Sequence, residues 1–322
     1  MTRDYKETVR DVYAAAALEA DAGLCCVDGA VWTLPGLSAP PRMLEMNYGC
    51  GSTVHPSDLA GEGPILYVGV GGGLEALQFA YFRRRPGGVI AVDPVAEMRE
   101  AARANLEEAA RRNPWFREEF VRIVEGTADA LPMEDERVGI VAQNCLFNVF
   151  NAADLARSIG EVHRVLARGG LFSTSDPVTT EPLPEALAAN ATLRARCISG
   201  CIPYDAYLAA LHAGGFSRLV VRARRPYRLL LPAEFPALER PVLLESLEVL
   251  ARKAGETSGV PEVFTGRHAI YRGREGSGRA NGASFPAGTP VPVSDRMARA
   301  LEERGDFLVT ESTYHTRAEG CC

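Results

Sequence analysis

The sequence predicts an α/β fold: a parallel-core sheet covered by helices, followed by a smaller α+β C-terminal domain. Three observations carry that expectation. Short apolar runs alternate with helix-length segments between Ile65 and Thr174. The first run opens into the glycine turn Gly69-Val70-Gly71-Gly72-Gly73. An acidic residue, Asp93, closes the second run. Strands alternating with helices indicate a parallel sheet covered on both faces.

The elements follow in order. Tyr5–Leu18 is Ala-rich and amphipathic, a short helix. Residues 21–60 are rich in Gly, Pro and Cys and read as loop; so long a loop in a compact protein is usually functional or disordered. Ile65–Val70, Val89–Val92, Val121–Val124, Val138–Ala142 and Leu171–Thr174 read as strands. Leu74–Arg85, Val95–Arg112 and Ala152–Ala167 read as helices, the last with Asn151 as N-cap and Asp154 in its first turn. Beyond residue 180 the pattern changes. Pro184–Arg196, Tyr204–His212 and Leu243–Lys253 read as helical, and Leu219–Ala223, Tyr227–Leu231 and Ala269–Tyr271 as strands. Residues 274–290 are rich in Gly, Ser and Ala and read as a linker. A helix over Asp295–Arg304 and a strand over Phe307–Thr310 follow. The expected organisation is therefore 1–60 (helix and cysteine loop), 61–180 (nucleotide-binding domain), 181–275 (substrate-binding domain) and 276–322 (linker and tail).

Bulk properties bound the function. The 322 residues are 47% hydrophobic and 24% charged, as in ordinary globular proteins. The formal net charge is -6, and no basic stripe suggests a nucleic-acid surface. No apolar run reaches the ~18 residues needed to span a bilayer, and the first residues lack the apolar stretch of a signal peptide. A cytoplasmic protein is expected. Its eight cysteines, Cys25, Cys26, Cys50, Cys145, Cys197, Cys201, Cys321 and Cys322, are then better read as binding or redox groups than as a structural disulfide framework.

The glycine turn points to a nucleotide. Glycines permit a tight turn and close ligand approach, and the following helix offers unpaired N–H groups. Asp93, 20 residues after Gly73, can accept hydrogen bonds from both hydroxyls of a ribose. Gly71-Gly72-Gly73-Leu74-Glu75-Ala76 also fits the pattern of dinucleotide enzymes. Two later stretches favour S-adenosylmethionine. Glu125-Gly126-Thr127-Ala128-Asp129-Ala130-Leu131-Pro132 resembles the G-x-A-x-x-L-P segment of class I methyltransferases, which implies Asp129 near the adenine amino group. Val162-His163-Arg164-Val165-Leu166-Ala167-Arg168-Gly169-Gly170 resembles the segment before their fifth strand. The expected cofactor residues are Gly69, Gly71, Gly73, Asp93, Pro94, Thr127, Ala128, Asp129 and Asn144. One departure stands out: the acidic residue usual in the first strand of methyltransferases is replaced by Tyr67.

The cysteine contexts are more specific. Gly23-Leu24-Cys25-Cys26, Met46-Asn47-Tyr48-Gly49-Cys50-Gly51, Leu66–Ala76, Gln143-Asn144-Cys145-Leu146-Phe147-Asn148 and the terminal Cys321-Cys322 resemble the arsenite S-adenosylmethionine methyltransferases. They are most similar to the subgroup linked to arsenosugar or other organoarsenical biosynthesis. The resemblance covers nearly the whole chain. Trivalent arsenic is soft and prefers thiolates, and three thiolates leave it a lone pair to attack a sulfonium methyl. The resemblance implies Cys145 and Cys197 as core arsenic ligands. It implies Cys50 and one of Cys25/Cys26 as further ligands that form a disulfide afterwards, with thioredoxin or glutathione restoring the thiols. Cys201 reads as packing. Cys321-Cys322 reads as either a disordered tail or a metalloid relay. None of the five histidines has metal spacing with another. Arg222-Ala223-Arg224-Arg225 reads as a solvated edge or a site for a substrate carboxylate. The alternatives are a methyltransferase for a small organic acceptor, and a thiol-based metalloid-binding protein.

Overall fold

The computed structural model describes residues 4–21, 23–24, 34–59, 63–253 and 261–314. Cys25, Cys26, Cys321 and Cys322 lie outside the described residues.

Helix α1 (Tyr5–Leu18) begins at Asp4, whose carboxylate caps the N–H of Lys6. After α2 (Pro41–Glu45) come β1 (Ile65–Val68), α3 (Leu74–Arg83), β2 (Val89–Asp93), α4 (Ala96–Arg112), β3 (Val121–Glu125), β4 (Val138–Asn144), α5 (Ala152–Val165) and β5 (Leu166–Thr179). The alternation expected from sequence is present, and Asn151 caps α5 through the N–H of Asp154. Strands β1, β2, β3, β4 and β5 pair in parallel in the order 3-2-1-4-5. Alternation within each strand explains their unbroken apolar runs. Ile65 and Tyr67 pack into one core, Leu66 and Val68 into another; Val89 and Ala91 divide from Ile90 and Val92 in the same way. A parallel sheet covered on both faces needs apolar residues at every position.

The second half departs from expectation. Two short helices, α6 (Glu185–Ala188) and α7 (Ala191–Ala195), replace the single one expected over 184–196. After α8 (Tyr204–Ala213), β6 (Phe216–Leu230), β7 (Val242–Lys253) and β8 (Glu262–Phe264) join the same sheet in the order 5-7-6-8, with β7 antiparallel to both β5 and β6. Strands β6, β7 and β8 thus extend the first sheet. The helix expected over 243–253 is a strand because Leu247, Val249 and Ala251 bury one face between two long neighbours; pairing partners override local propensity. The two strands expected at 219–231 are one, with a register shift beside Pro226, where a proline cannot donate to the ladder.

The expected linker is also folded. After β9 (His268–Tyr271), β10 (Ser277–Ala280) and β11 (Ala283–Pro286) form a hairpin. Its turn, Asn281-Gly282, has φ of +46° and +81°, the two positive values that Asn-Gly hairpin turns require. Strands β12 (Val291–Pro292) and β13 (Phe307–Val309) flank β9, and α9 (Asp295–Glu302) packs beside them. Tyr271, Phe285, Leu301 and Phe307 form a separate small core there. No helix among the described residues is long and apolar enough to cross a membrane.

Candidate active site

The strand order reverses between β1 and β4, and open α/β sheets hold ligands in the crevice at the carboxyl ends of such strands. A cavity of about 320 Å³ lies there. It is lined by Gly69 and Gly71 after β1, Asp93 and Pro94 after β2, Thr127, Ala128 and Asp129 after β3, and Asn144 and Cys145 after β4. Of the cofactor residues expected from sequence, Gly73 alone does not line it. It sits at the N-cap of α3 with φ +89°, and a side chain there would meet Leu106 and Met43. Gly71 is the cradle: at φ +52° an added Cβ would meet nothing within 4 Å.

Asp93 is buried and accepts the N–H groups of Val70 (3.0 Å) and Val95 (2.9 Å). Burial pushes its carboxyl up to about 6, against the downward pull of those bonds and of Arg99. The Gly71 N–H bonds to it as well, and the ionised carboxylate can still accept from ligand hydroxyls. Asp129 is also held from the N-terminal helix. Lys6 of α1 reaches across to it (2.9 Å) and to Asp154 (3.1 Å), while Tyr5 donates to Asp154. Tyr5, Lys6, Val9 and Tyr13 make α1 one wall of the cavity. Sequence reading missed this wall; no local signal joins residue 6 to residue 129.

Glu75 was also missed. It is buried and lines the cavity, and it accepts both the N–H (2.8 Å) and the hydroxyl (3.0 Å) of Thr53. It also bonds the Tyr67 phenol and the Asn144 amide. A cavity floored by buried carboxylates suits a cationic ligand, because a buried charge demands a partner. Size, glycine cradle and charge therefore fit S-adenosylmethionine, whose sulfonium and ammonium groups are positive.

The thiols gather beyond the Asn144 side of this cavity. Asn144 anchors the Cys50 loop: its oxygen accepts the Cys50 N–H (3.0 Å) and its amide donates to the Gly51 carbonyl (2.8 Å). The Cys50 carbonyl accepts from Ser246 (2.6 Å), and its sulfur lies 3.4 Å from the Ser175 hydroxyl. The Cys197 sulfur lies 3.6 Å from the Cys145 carbonyl and 3.8 Å from the Tyr13 hydroxyl. Cys201 donates to the Cys197 carbonyl (3.4 Å). Burial pushes the Cys197 thiol up to about 11 and raises Cys50 and Cys201 as well. Both Cys145 (φ +60°) and Cys197 (φ +56°) adopt left-handed backbone, a conformation that costs non-glycine residues of order 1–3 kcal/mol and tends to occur at functional sites.

Cys145 is in a disulfide, whereas Cys50 carries a free thiol, as do Cys197 and Cys201. Cys50 is pinned by its own backbone hydrogen bonds and buried, while Cys145 lines the cavity. Cys201, read from sequence as packing, is buried next to Cys197. Among the described residues, no group of three His, Cys, Asp or Glu side chains is set for a metal ion.

Beneath these thiols Asp176 is fully buried. One oxygen accepts the Phe147 (3.0 Å) and Asn148 (3.3 Å) N–H groups; the other accepts Tyr207 (2.6 Å), Thr174 (3.1 Å) and Gln143. It holds the loop that follows Cys145. The basic cluster 222–225 is not a free anion site: Arg222 pairs with Asp58, Arg224 with Glu245 and Arg225 with Glu248.

Residues 66–174 match the family model of a methyltransferase domain. The chain is similar to an arsenite methyltransferase of Halobacterium salinarum (29% identity over 177 residues, 55% of this chain and 43% of the relative). It is similar also to one from Aquipseudomonas alcaligenes (28% over 205 residues, 61% and 57%). It spans about half the length of these curated relatives. Its fold resembles an arsenic(III) S-adenosylmethionine methyltransferase from Chlamydomonas reinhardtii (TM-score 0.58, 21% identity, 87% of this chain and 95% of that one). It resembles, too, a geranyl diphosphate C-methyltransferase from Streptomyces coelicolor (TM-score 0.50, 15% identity, 79% and 100%). A class I, Rossmann-like methyltransferase fold and these sequence relatives thus make the chain similar to the arsenite methyltransferases.

Proposed function

We propose that this chain methylates trivalent arsenic, as arsenite or a trivalent organoarsenical, held by cysteine thiolates and facing S-adenosylmethionine. The observation that carries the reading is the adjacency of the two half-sites. Cys145 lines the glycine-turn cavity, and the Cys197 sulfur is 3.6 Å from its carbonyl. Gly69, Gly71, Asp93, Pro94, Thr127, Ala128, Asp129 and Asn144 would hold the methyl donor. When bound, the donor supplies an electrophilic methyl group on a sulfonium.

The thiols here do not need to be ionised in advance. Each arsenic–oxygen bond exchanged for an arsenic–sulfur bond takes up one thiol proton and releases one water. The raised thiol pKa values are therefore compatible with ligation, while an unassisted thiolate nucleophile would be disfavoured. Arsenic, bound by Cys145, Cys197 and Cys50 or one of Cys25/Cys26, would offer its lone pair to the methyl carbon while the carbon–sulfur bond breaks and its electron pair passes to sulfur, releasing S-adenosylhomocysteine and leaving arsenic formally pentavalent. Two thiolates then give up two electrons to arsenic and join as a disulfide, returning it to the trivalent state. The disulfide at Cys145 supports a redox role for that residue. Thioredoxin or glutathione would restore the thiols by exchange, which suits the cytoplasm. A role for Cys25 and Cys26 rests on resemblance alone.

The test is turnover: arsenite or a trivalent organoarsenical, S-adenosylmethionine and a thiol reductant, with arsenic products separated by mass. Methylated arsenic should appear and should vanish in Cys145→Ser. Full activity of that variant would overturn the proposal.

A further inference from the structure

We infer that Glu75 is the anion that receives the ammonium group of the methyl donor's methionine portion, in place of the carboxylate that Tyr67 has displaced from β1. This rests on the donor proposed above. Residue 67 stands two positions before Gly69 and lines the cavity, at the first-strand position where methyltransferases usually carry an acidic residue. In this chain it is a phenol, buried against Phe79. The phenol meets a carboxylate from the other side of the glycine turn: Glu75, in the first turn of α3. Tyr67, Gly69, Gly71, Glu75 and Asn144 all line the same cavity. In this chain the carboxylate stands at the start of the helix after the turn, and a phenol near the end of the strand before it.

Two observations separate Glu75 from an ordinary structural carboxylate. First, every group bonded to it is neutral: the Thr53 N–H and hydroxyl, the Tyr67 phenol and the Asn144 amide. Among the described residues no lysine, arginine or histidine forms an ion pair with it, whereas Asp129, Asp154 and Glu248 each have one. Secondly, it is 6% exposed. Neutral donors orient a buried carboxylate without cancelling its charge, and an uncompensated buried charge is costly. Burial accordingly raises its pKa. An ammonium group arriving in the cavity supplies the missing charge, and charge-assisted hydrogen bonds are about twice as strong as neutral ones. Thr53 and Tyr67 then act as positioning residues that hold the carboxylate toward the turn.

The experiment measures binding, not turnover. Isothermal titration would compare S-adenosylhomocysteine with its desamino analogue, which lacks only the ammonium group, on the wild-type chain and on Glu75→Gln. The wild type should prefer S-adenosylhomocysteine by about tenfold or more, the worth of one hydrogen bond to a charged group. In Glu75→Gln that preference should fall to about threefold or less, with the desamino analogue bound nearly as in the wild type. Equal weakening of both ligands would mean that Glu75 only clamps the Thr53 loop, and would overturn the inference. A wild type that does not distinguish the two ligands would overturn it as well. Should Glu75→Gln fail to fold, Glu75→Asp carries the test: it keeps the charge but shortens its reach, and an undiminished preference would overturn the assignment. Failure of the wild type to bind S-adenosylhomocysteine at all would instead remove the donor reading itself.

Discussion

Replacing Asp176 separates two things a buried carboxylate does: accept hydrogen bonds and carry charge. Asp176→Ala leaves three donors that cannot turn away, the Phe147 and Asn148 N–H groups and the Gln143 amide. The Thr174 and Tyr207 hydroxyls, 2.7 Å apart, can still bond each other. Three stranded donors cost about 6 kcal/mol at ~2 kcal/mol each. Against this stands the cost of ionising a fully buried acid. Burial pushes Asp176 up to about 6, which corresponds to about 3 kcal/mol at neutral pH, recovered when the charge is removed. The net loss for Ala is therefore about 3 kcal/mol. Asp176→Asn keeps the oxygen that serves Phe147 and Asn148, strands only Gln143, and recovers the same charge term; it should lie within about 1 kcal/mol of the wild type. The sign with pH follows. A carboxyl raised in the folded state stabilises the fold below its unfolded pKa, and that stability is lost as pH rises through about 6. The wild type should thus gain on Asp176→Asn between pH 7 and pH 4. Urea unfolding at both pH values under reducing conditions measures this. An Asn variant as damaged as Ala, or a difference independent of pH, would refute the reasoning.

Three further outcomes are expected. Asp93 must be ionised to accept both ribose hydroxyls, so affinity for S-adenosylhomocysteine should fall as pH drops below about 6, and Asp93→Asn should bind weakly with that step removed; titration from pH 5 to 8 checks both. Arg222→Ala leaves Asp58, whose side chain is 9% exposed, without its guanidinium and should cost about 3 kcal/mol. Lys6→Met breaks ion pairs of a 38% exposed side chain and should cost less than about 1 kcal/mol; chemical denaturation of the two variants should rank them in that order. Cys50, Cys197 and Cys201 are buried with raised pKa values and should react with a thiol reagent at pH 8 at least about tenfold more slowly in the folded chain than in urea. Rapid labelling of the Cys197 peptide, read by mass spectrometry, would count against a sequestered thiol site.

The sequence by itself determined the first half of the fold. Each strand between 65 and 174 is a short apolar run beside a helix-length segment, so period and length agree, and the glycine turn with Asp93 marks the ligand edge in the sequence itself. The hairpin at 277–286 was legible too, in Asn281-Gly282, but its Gly- and Ser-rich surroundings read as a linker. Residues 242–253 could not be read alone: Val-Leu-Leu-Glu-Ser-Leu-Glu-Val-Leu suits a helix and a strand alike, and only the open edges of β5 and β6 chose the strand. The site divides in the same way. Asp93 and the glycines follow one another along the chain at fixed spacing. The pairing of Lys6 with Asp129, the burial of Glu75 beneath Tyr67, and the meeting of Cys197 with Cys145 join residues 8 to 123 positions apart. Such contacts depend on where the sheet's crossovers bring strand ends and helix starts together, and local sequence does not encode that proximity.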